Sequence, residues 1–143
     1  MVTRLLLAVV VAAVLLAVSA PAVETARADR TAAALDRTAD RVEHAGASLV
    51  AADEPDAGAR RVVTVSLPRA TLTAAGVDRF VVACREGCSV RYRLRRGREV
   101  VHHLRSAPFA TPEGPVAFST PGPHRLLLGL ARKDDRRVVT VRG

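Results

Sequence analysis

The two cysteines are the residues of this chain best placed to react with each other. Cys84 and Cys88 flank the loop Arg85-Glu86-Gly87, and apolar residues alternate with polar ones on both sides of it. A hairpin with such a loop brings its two end residues face to face, at disulfide distance. The spacing C-x-x-x-C is neither a zinc-site nor a thioredoxin-type spacing. We predict a disulfide between Cys84 and Cys88; two buried thiols and metal or redox chemistry are the alternatives.

The histidines do not form a metal-binding pattern. His102 and His103 are adjacent in a predicted strand, where neighbouring side chains point to opposite faces of the sheet and cannot share one ion. His44 and His124 are isolated in the sequence. The chain also has no nucleophile elbow, phosphate-binding loop or zinc-protease motif. We therefore expect a protein that is not an enzyme and uses no cofactor.

Arginines give the chain its charge. The chain has 22 Lys plus Arg against 14 Asp plus Glu, and residues 60–143 hold 17 of the bases and six of the acids. A basic field favours anionic lipid headgroups, nucleic acid or an acidic protein surface. With one Tyr and three Phe to stack on bases, we expect no nucleic-acid partner. The alternatives are a solvated sheet face or attraction to anionic lipid or an acidic partner. The predicted basic patch comprises Arg91, Arg93, Arg96, Arg98 and Arg105.

Two predicted hairpins position the cysteines and these arginines. Their loops, residues 85–87 and 95–97, each end in Gly, which supplies the positive φ required when a type I turn is followed by a bulge. This loop length fixes the register of three strands and keeps one of their faces apolar. The predicted pairs are Cys84 with Cys88, Val82 with Val90, Phe80 with Tyr92, Tyr92 with Val100, and Arg93 with Glu99.

Short Val-rich runs separated by Gly and Pro predict strands throughout residues 61–143. We expect an antiparallel β-sheet or a small sandwich, and an α+β chain once the N-terminal helix is included. The predicted strands are residues 61–67, 78–84, 88–94, 98–105, 115–119, 124–131 and 136–142.

Residues 24–50 predict an amphipathic helix. Small or apolar residues recur there at heptad spacing, with charges between them. This seam packs either on the protein's own β-domain or on a helix of another copy or partner. Residues 51–60 contain Pro55 and Gly58 and predict a linker. The predicted seam residues are Ala28, Ala32, Leu35, Ala39, Val42 and Leu49.

Residues 1–23 predict a membrane anchor or a signal segment. Residues 5–23 carry no charge, and as a helix they cover roughly 28 Å of a ~30 Å hydrocarbon layer. Arg4 orients the N-terminus towards the cytoplasm, which places residues 61–143 outside it in a single-pass protein of the cell membrane. Cleavage after Ala20 or Ala22 would instead release a secreted β-domain that binds an acidic partner or surface. We favour retention, because the predicted helix continues past Pro21.

The layout of the whole chain resembles that of type IV pilins and pseudopilins. A short basic leader precedes a spanning apolar helix, an amphipathic continuation and a C-terminal antiparallel sheet. It resembles more closely small, uncharacterised haloarchaeal proteins of that shape. The resemblance implies a structural or accessory role in which the N-terminal helix packs against copies of itself or pilin-like proteins. Separately, residues 119–143 resemble the last two strands of immunoglobulin-like domains, which implies a sandwich.

Overall fold

One long helix is followed by eight strands in the computed structural model, which describes residues 1–52 and 58–143. The helix, α1, spans Val2–Ala51. The α+β class predicted from the sequence is confirmed, while the central part of the predicted linker, residues 53–57, lies outside the described residues. The strands are β1 Arg60–Leu67, β2 Val77–Cys84, β3 Cys88–Leu94, β4 Glu99–Leu104, β5 Phe109–Ala110, β6 Val116–Phe118, β7 Gly122–Lys133 and β8 Arg136–Arg142.

α1 joins the two predicted N-terminal segments into a single helix. It continues through Pro21, although proline has no N–H for the bond to the preceding turn. The hydroxyl of Thr25 donates to the carbonyl of Pro21 at 3.0 Å. At 1.5 Å per residue, the helix is about 75 Å long. Its N-terminal half is exposed, and its buried residues begin at Thr31 and end at Leu49.

The strands form two four-stranded sheets. The first has the order β1-β7-β8-β5 and the second the order β4-β3-β2-β6. Neighbouring strands are antiparallel except β5 and β8, which are parallel. Of the two predicted arrangements, the structure therefore has paired sheets rather than a single one.

The second sheet has the register predicted from its loop lengths. Cys84 lies opposite Cys88, and Phe80 lies opposite Tyr92. Because side chains alternate along a strand, Phe80 and Tyr92 share the inner face and are both buried. The other predicted pairs, Val82 with Val90, Tyr92 with Val100 and Arg93 with Glu99, are also present.

The second hairpin loop differs from the prediction in its backbone. Gly87 in the first loop has the expected positive φ, 137°, but in the second loop the residue with positive φ is Arg96, at 63°. The N–H of Gly97 donates to the carbonyl of Leu94 at 2.9 Å. This bond closes a four-residue turn whose third residue is Arg96, and that position takes the left-handed conformation in a type II turn.

The core lies where both sheets meet the C-terminal half of α1. Along β1, Val63, Val65 and Leu67 are buried while the residues between them are exposed, as expected of a strand with one face on the core. Buried apolar residues of the second sheet and of α1 belong to the same cluster as these β1 residues. The fully buried large side chains are Tyr92, Phe80, Leu35, Leu67, Leu126, Leu128, Val42, Val65, Val82, Val90, Val139 and Val141.

The short strand β5, which the sequence pattern did not predict, brings Phe109 against α1. A Cβ atom at Gly46 would overlap the ring of Phe109. Only glycine therefore lets the helix approach β5 this closely.

We predict that Leu35→Asp destabilises the fold by about 3–5 kcal/mol, the cost of an uncompensated charge in a core. Leu35 is 1% exposed and belongs to the main apolar cluster. Denaturant unfolding of the full-length chain in detergent, followed by the fluorescence of the single tyrosine, Tyr92, measures the change.

The matched control is Ala33→Asp, which places the same charge on the exposed face of α1 two residues away. Its expected cost is about 1 kcal/mol or less, mostly helix propensity. Equal unfolding free energies for the two variants would contradict the packing of Leu35 described above.

Candidate membrane anchor and its junction with the β-domain

The N-terminal half of α1 is apolar and uncovered. It includes an 18-residue stretch apolar enough to cross a membrane, none of which is buried within the protein. Apolar surface on this scale exceeds what soluble proteins expose to water. Its length and composition are compatible with a single membrane span. The exposed large apolar residues are Val2, Leu5, Leu6, Leu7, Val9, Val10, Val11, Val14, Leu15, Leu16, Val18 and Val23.

Tyr92 joins the second sheet to α1 by a hydrogen bond. Its hydroxyl donates to Oδ1 of Asp36 at 2.8 Å, and the carbonyl of Ala32 lies 3.4 Å from the same oxygen. Burial raises the pKa of the Tyr92 hydroxyl above its usual value, and the Asp36 carboxylate raises that pKa further. The proton therefore stays on Tyr92 and bridges the sheet to the helix.

Glu43 joins α1 to the segment that follows β4. Its Oε1 atom accepts the backbone N–H groups of Arg105 and Ser106, each at 2.9 Å. Its Oε2 atom lies 3.5 Å from Nε2 of His102. The N–H of Arg105 is the main cause that lowers the pKa of Glu43, while desolvation opposes it in part. The ionised carboxylate therefore stabilises this contact.

Arg137 of β8 completes the C-terminal end of α1. Its Nη1 atom donates to the carbonyls of Val50 and Ala52, at 3.0 and 3.1 Å. The last carbonyls of a helix lack partners within it, and a cation there also complements the helix dipole. The contacts of Tyr92, Glu43 and Arg137 together fix how α1 lies on the β-domain.

At the other end of the docked half, a loop and a turn meet α1 just beyond the apolar stretch. The Thr31 hydroxyl accepts the N–H of Ala75 at 2.9 Å, and the Arg27 guanidinium donates to the carbonyl of Thr71. Together with the turn at residues 95–97 and helix residues 24–28, this loop surrounds a recess of about 510 Å³. The recess lies at the junction between the exposed and the docked halves of α1.

A family model for a domain of unknown function matches residues 2–143, which is nearly the whole chain. The chain belongs to the DUF7311 family. No curated protein and no solved structure matches it. The match includes the apolar half of α1 as well as the β-domain, so the DUF7311 domain comprises both parts.

The arginines of the predicted basic patch lie in different parts of the DUF7311 domain. Arg91 and Arg93 are exposed on the outer face of the second sheet, where they line a concave region of about 610 Å³. Arg96 lies in the β3–β4 turn, 3.8 Å from Glu24 of α1. Arg98 follows that turn, whereas Arg105 follows β4 at the far end of the strand. Arg96 and Arg98 thus lie near the recess, and Arg105 lies near the Glu43 contact.

The two cysteines, His102 and His124 make contacts within the fold. Cys84 and Cys88 are joined by a disulfide across the end of the first hairpin. His124 stacks on Phe118, with ring centres 4.4 Å apart, and His102 faces Glu43. Among residues 1–52 and 58–143, no group of three or more His, Cys, Asp or Glu is arranged to hold a metal ion.

The helix seam lies against the domain's own core. Ala28 and Ala32 are partly buried, and Leu35, Ala39, Val42 and Leu49 are buried in the apolar cluster. Of the two partners predicted for the seam, the structure therefore has the β-domain. The apolar half of α1, in contrast, is exposed.

Sequence reasoning did not identify the polar contacts of α1. Asp36 and Glu43 each follow a seam residue directly. This position at the edge of the seam indicates that both side chains lie close to the element that packs on the seam. The recess carried no local signal, because its walls come from three distant parts of the chain.

We predict that Glu43→Gln lowers the unfolding free energy at pH 7 by about 1 kcal/mol, the net value of a hydrogen bond to a charged acceptor near the surface. A carboxylate whose folded pKa is lowered stabilises the fold above its unfolded pKa, here ordinarily 4.5. That stabilisation disappears as the pH falls through the folded pKa. The gap between variant and wild type should therefore narrow below about pH 4.5 in denaturant titrations.

Asp40→Asn is the matched control. Asp40 also faces His102, at 3.7 Å, but its side chain is 66% exposed, so its removal should change the unfolding free energy by no more than about 0.5 kcal/mol. A deficit for Glu43→Gln that stayed constant from pH 3 to 7 would contradict a role for the ionised carboxylate.

Proposed function

We propose that this DUF7311 domain is a non-enzymatic, single-span membrane protein with its β-domain outside the cytoplasm. It serves as a structural or accessory component with a pilin-like layout. The observation that carries the proposal is the division of α1 into an uncovered apolar half and a half that forms part of the core.

The continuity of α1 supports retention of the apolar half. The helix is unbroken through both candidate cleavage sites, after Ala20 and after Ala22. Thr31, the first buried residue of α1, lies only eight positions beyond Val23, the end of the uncharged stretch. Along a helix, eight positions correspond to about 12 Å. A retained anchor would therefore hold the β-domain close to the membrane.

The pilin-like part of the proposal concerns layout and not processing. Pilins carry a small residue before the apolar run, where their peptidase cuts, and usually an acid soon after. Here Arg4 directly precedes Leu5, and the first acid is Glu24. We therefore propose a helix that packs with other membrane helices through its apolar half, without prepilin cleavage.

A secreted β-domain that binds an acidic partner or surface is the second candidate. A product beginning at Val23 would keep every buried residue of α1, from Thr31 to Leu49. Cleavage after Ala22 would thus leave the core intact, and residues 60–143 would supply the basic surface.

Intact mass and alkaline extraction distinguish these candidates. We expect the full-length chain in the membrane pellet after an alkaline wash. A soluble product beginning at Val23 would contradict the anchor and support the secreted candidate.

Two variants sharpen this measurement. Ala20→Leu removes the small side chain needed by both candidate cleavage sites, so an anchored protein keeps its wild-type length and location. Val14→Arg places a charge near the middle of the apolar stretch, at a cost of about 2.5–3.5 kcal/mol for insertion, and should reduce the membrane-bound fraction. Ala20→Leu lengthening the mature chain would show that wild type is cleaved.

A further inference from the structure

The junction between α1 and the β-domain has a defined rim on the side of the exposed apolar half of α1. We name as the collar the loop of residues 68–76 and the turn of residues 95–98. The N–H of Arg95 donates to the carbonyl of Gly76 at 2.7 Å, which ties the turn to the loop. Arg96 reaches Glu24 of α1, and Arg27 of α1 reaches the loop. The collar is therefore fixed to the first turns of α1 after the uncharged stretch.

The depth of the collar follows from helix geometry and rests on the anchor proposed above. Along the helix axis, Glu24 lies about 1.5 Å beyond Val23, and Arg27 lies about 6 Å beyond it. The headgroup layer on each side of a bilayer is about 5–7 Å thick, and a tilt of about 20° changes these depths little. With residues 5–23 in the hydrocarbon layer, the collar lies at the level of the headgroups.

The collar combines an exposed apolar side chain with several arginines, the combination expected of a surface that contacts anionic lipid. Leu72 at the tip of the loop is 87% exposed. The Thr71 hydroxyl accepts the N–H of Ala74 at 3.1 Å, and the N–H of Thr71 donates to the Ala74 carbonyl at 3.0 Å. The loop is therefore held in a tight turn. Leu72 is thus an apolar side chain on a supported tip, next to charged groups. The arginines of the collar are Arg69, Arg95, Arg96 and Arg98.

The recess behind this rim is suited to a phosphate. Arg27, Arg95 and Arg96 line it together with Glu24, and Asp78 beside it lies 3.5 Å from Nε of Arg95, so the arginines outnumber the acids by one. The Nε of Arg27 is buried and has no hydrogen-bond partner among the described residues. Planar guanidinium donors bind phosphate oxygens in pairs, and helix residues 24–28 place the recess at headgroup depth.

We propose that the recess binds the headgroup phosphate of an anionic membrane lipid while Leu72 enters the adjoining acyl region. The lipid thereby becomes a second attachment of the β-domain to the membrane. Arg95 and Arg96 provide positive charge from the turn, and Arg27 provides positive charge from α1.

The experiment uses the full-length chain with Leu72→Cys, labelled with an environment-sensitive fluorophore and reconstituted into vesicles. Zwitterionic vesicles are compared with vesicles that contain 30% anionic phospholipid as probe. We expect the label to be protected from an aqueous quencher only in the anionic vesicles. Arg95→Gln and Arg96→Gln should each weaken this protected state by up to about fivefold, the effect of one basic residue near an anionic surface.

Thr64→Cys, labelled in the same way, is the positional control. Thr64 lies on β1 beside α1 residues 40–45, about 25 Å further along the helix, and its label should stay quenchable in both vesicles. Equal quenching of the Leu72 label in both vesicles, with the chain floating with both, would overturn the inference and leave the anchor standing. A chain that floats with neither vesicle would contradict the anchor and this inference together.

Inorganic phosphate identifies the source of the bound group. Added to anionic vesicles at constant ionic strength, it should not expose the Leu72 label, because a lipid phosphate is held in place by the bilayer. Loss of protection with phosphate but not with chloride would overturn lipid binding in favour of a free anion.

Discussion

The burial of one face of α1 between two sheets is the constraint on which the rest of the structure depends. Leu35, Ala39 and Val42 are at most 1% exposed, and side chains from both sheets surround them in the same cluster. Neither sheet alone covers its apolar face, since a small domain needs every layer to complete its core. The helix is therefore part of the β-domain's fold, and the exposed apolar half extends from that core without a joint.

Polar contacts determine which way the docked helix faces. Ala39 of the seam and the nearby Gly46 allow close approach, but apolar packing is weakly directional. The bonds of Asp36 with Tyr92, Glu43 with the β4 end, and Arg137 with the last carbonyls satisfy buried or terminal groups at spaced points along α1. Leaving such groups unpaired costs more than making the bonds gains. These contacts therefore set the rotation of the helix, and so which loops lie beside its exposed apolar half.

Local sequence rules predicted the second sheet well, because a short loop determines the pairing of the strands that it joins. The Cys84–Cys88 and Phe80–Tyr92 pairs follow from the length of the first loop alone. The parallel pairing of β5 with β8 depends on contacts between residues about 30 positions apart, and two residues are too few to show a period. The sequence predicted the β-domain as one of two partners of the seam, but the choice between them, the division of the basic patch and the recess all depend on how distant segments meet.

The fold divides the arginines of the β-domain between two places relative to α1. The excess of arginine lies in residues 60–143, but the fold sends Arg91 and Arg93 to an outer sheet face and brings Arg95 and Arg96 to the first helical turns after Val23. A secreted domain would present both groups to solvent alike. For an anchored domain the two groups differ, since a rigid helical connection of about 12 Å keeps the collar within one or two Debye lengths of the bilayer surface. In that arrangement the arginines beside the helix would lie at the bilayer surface.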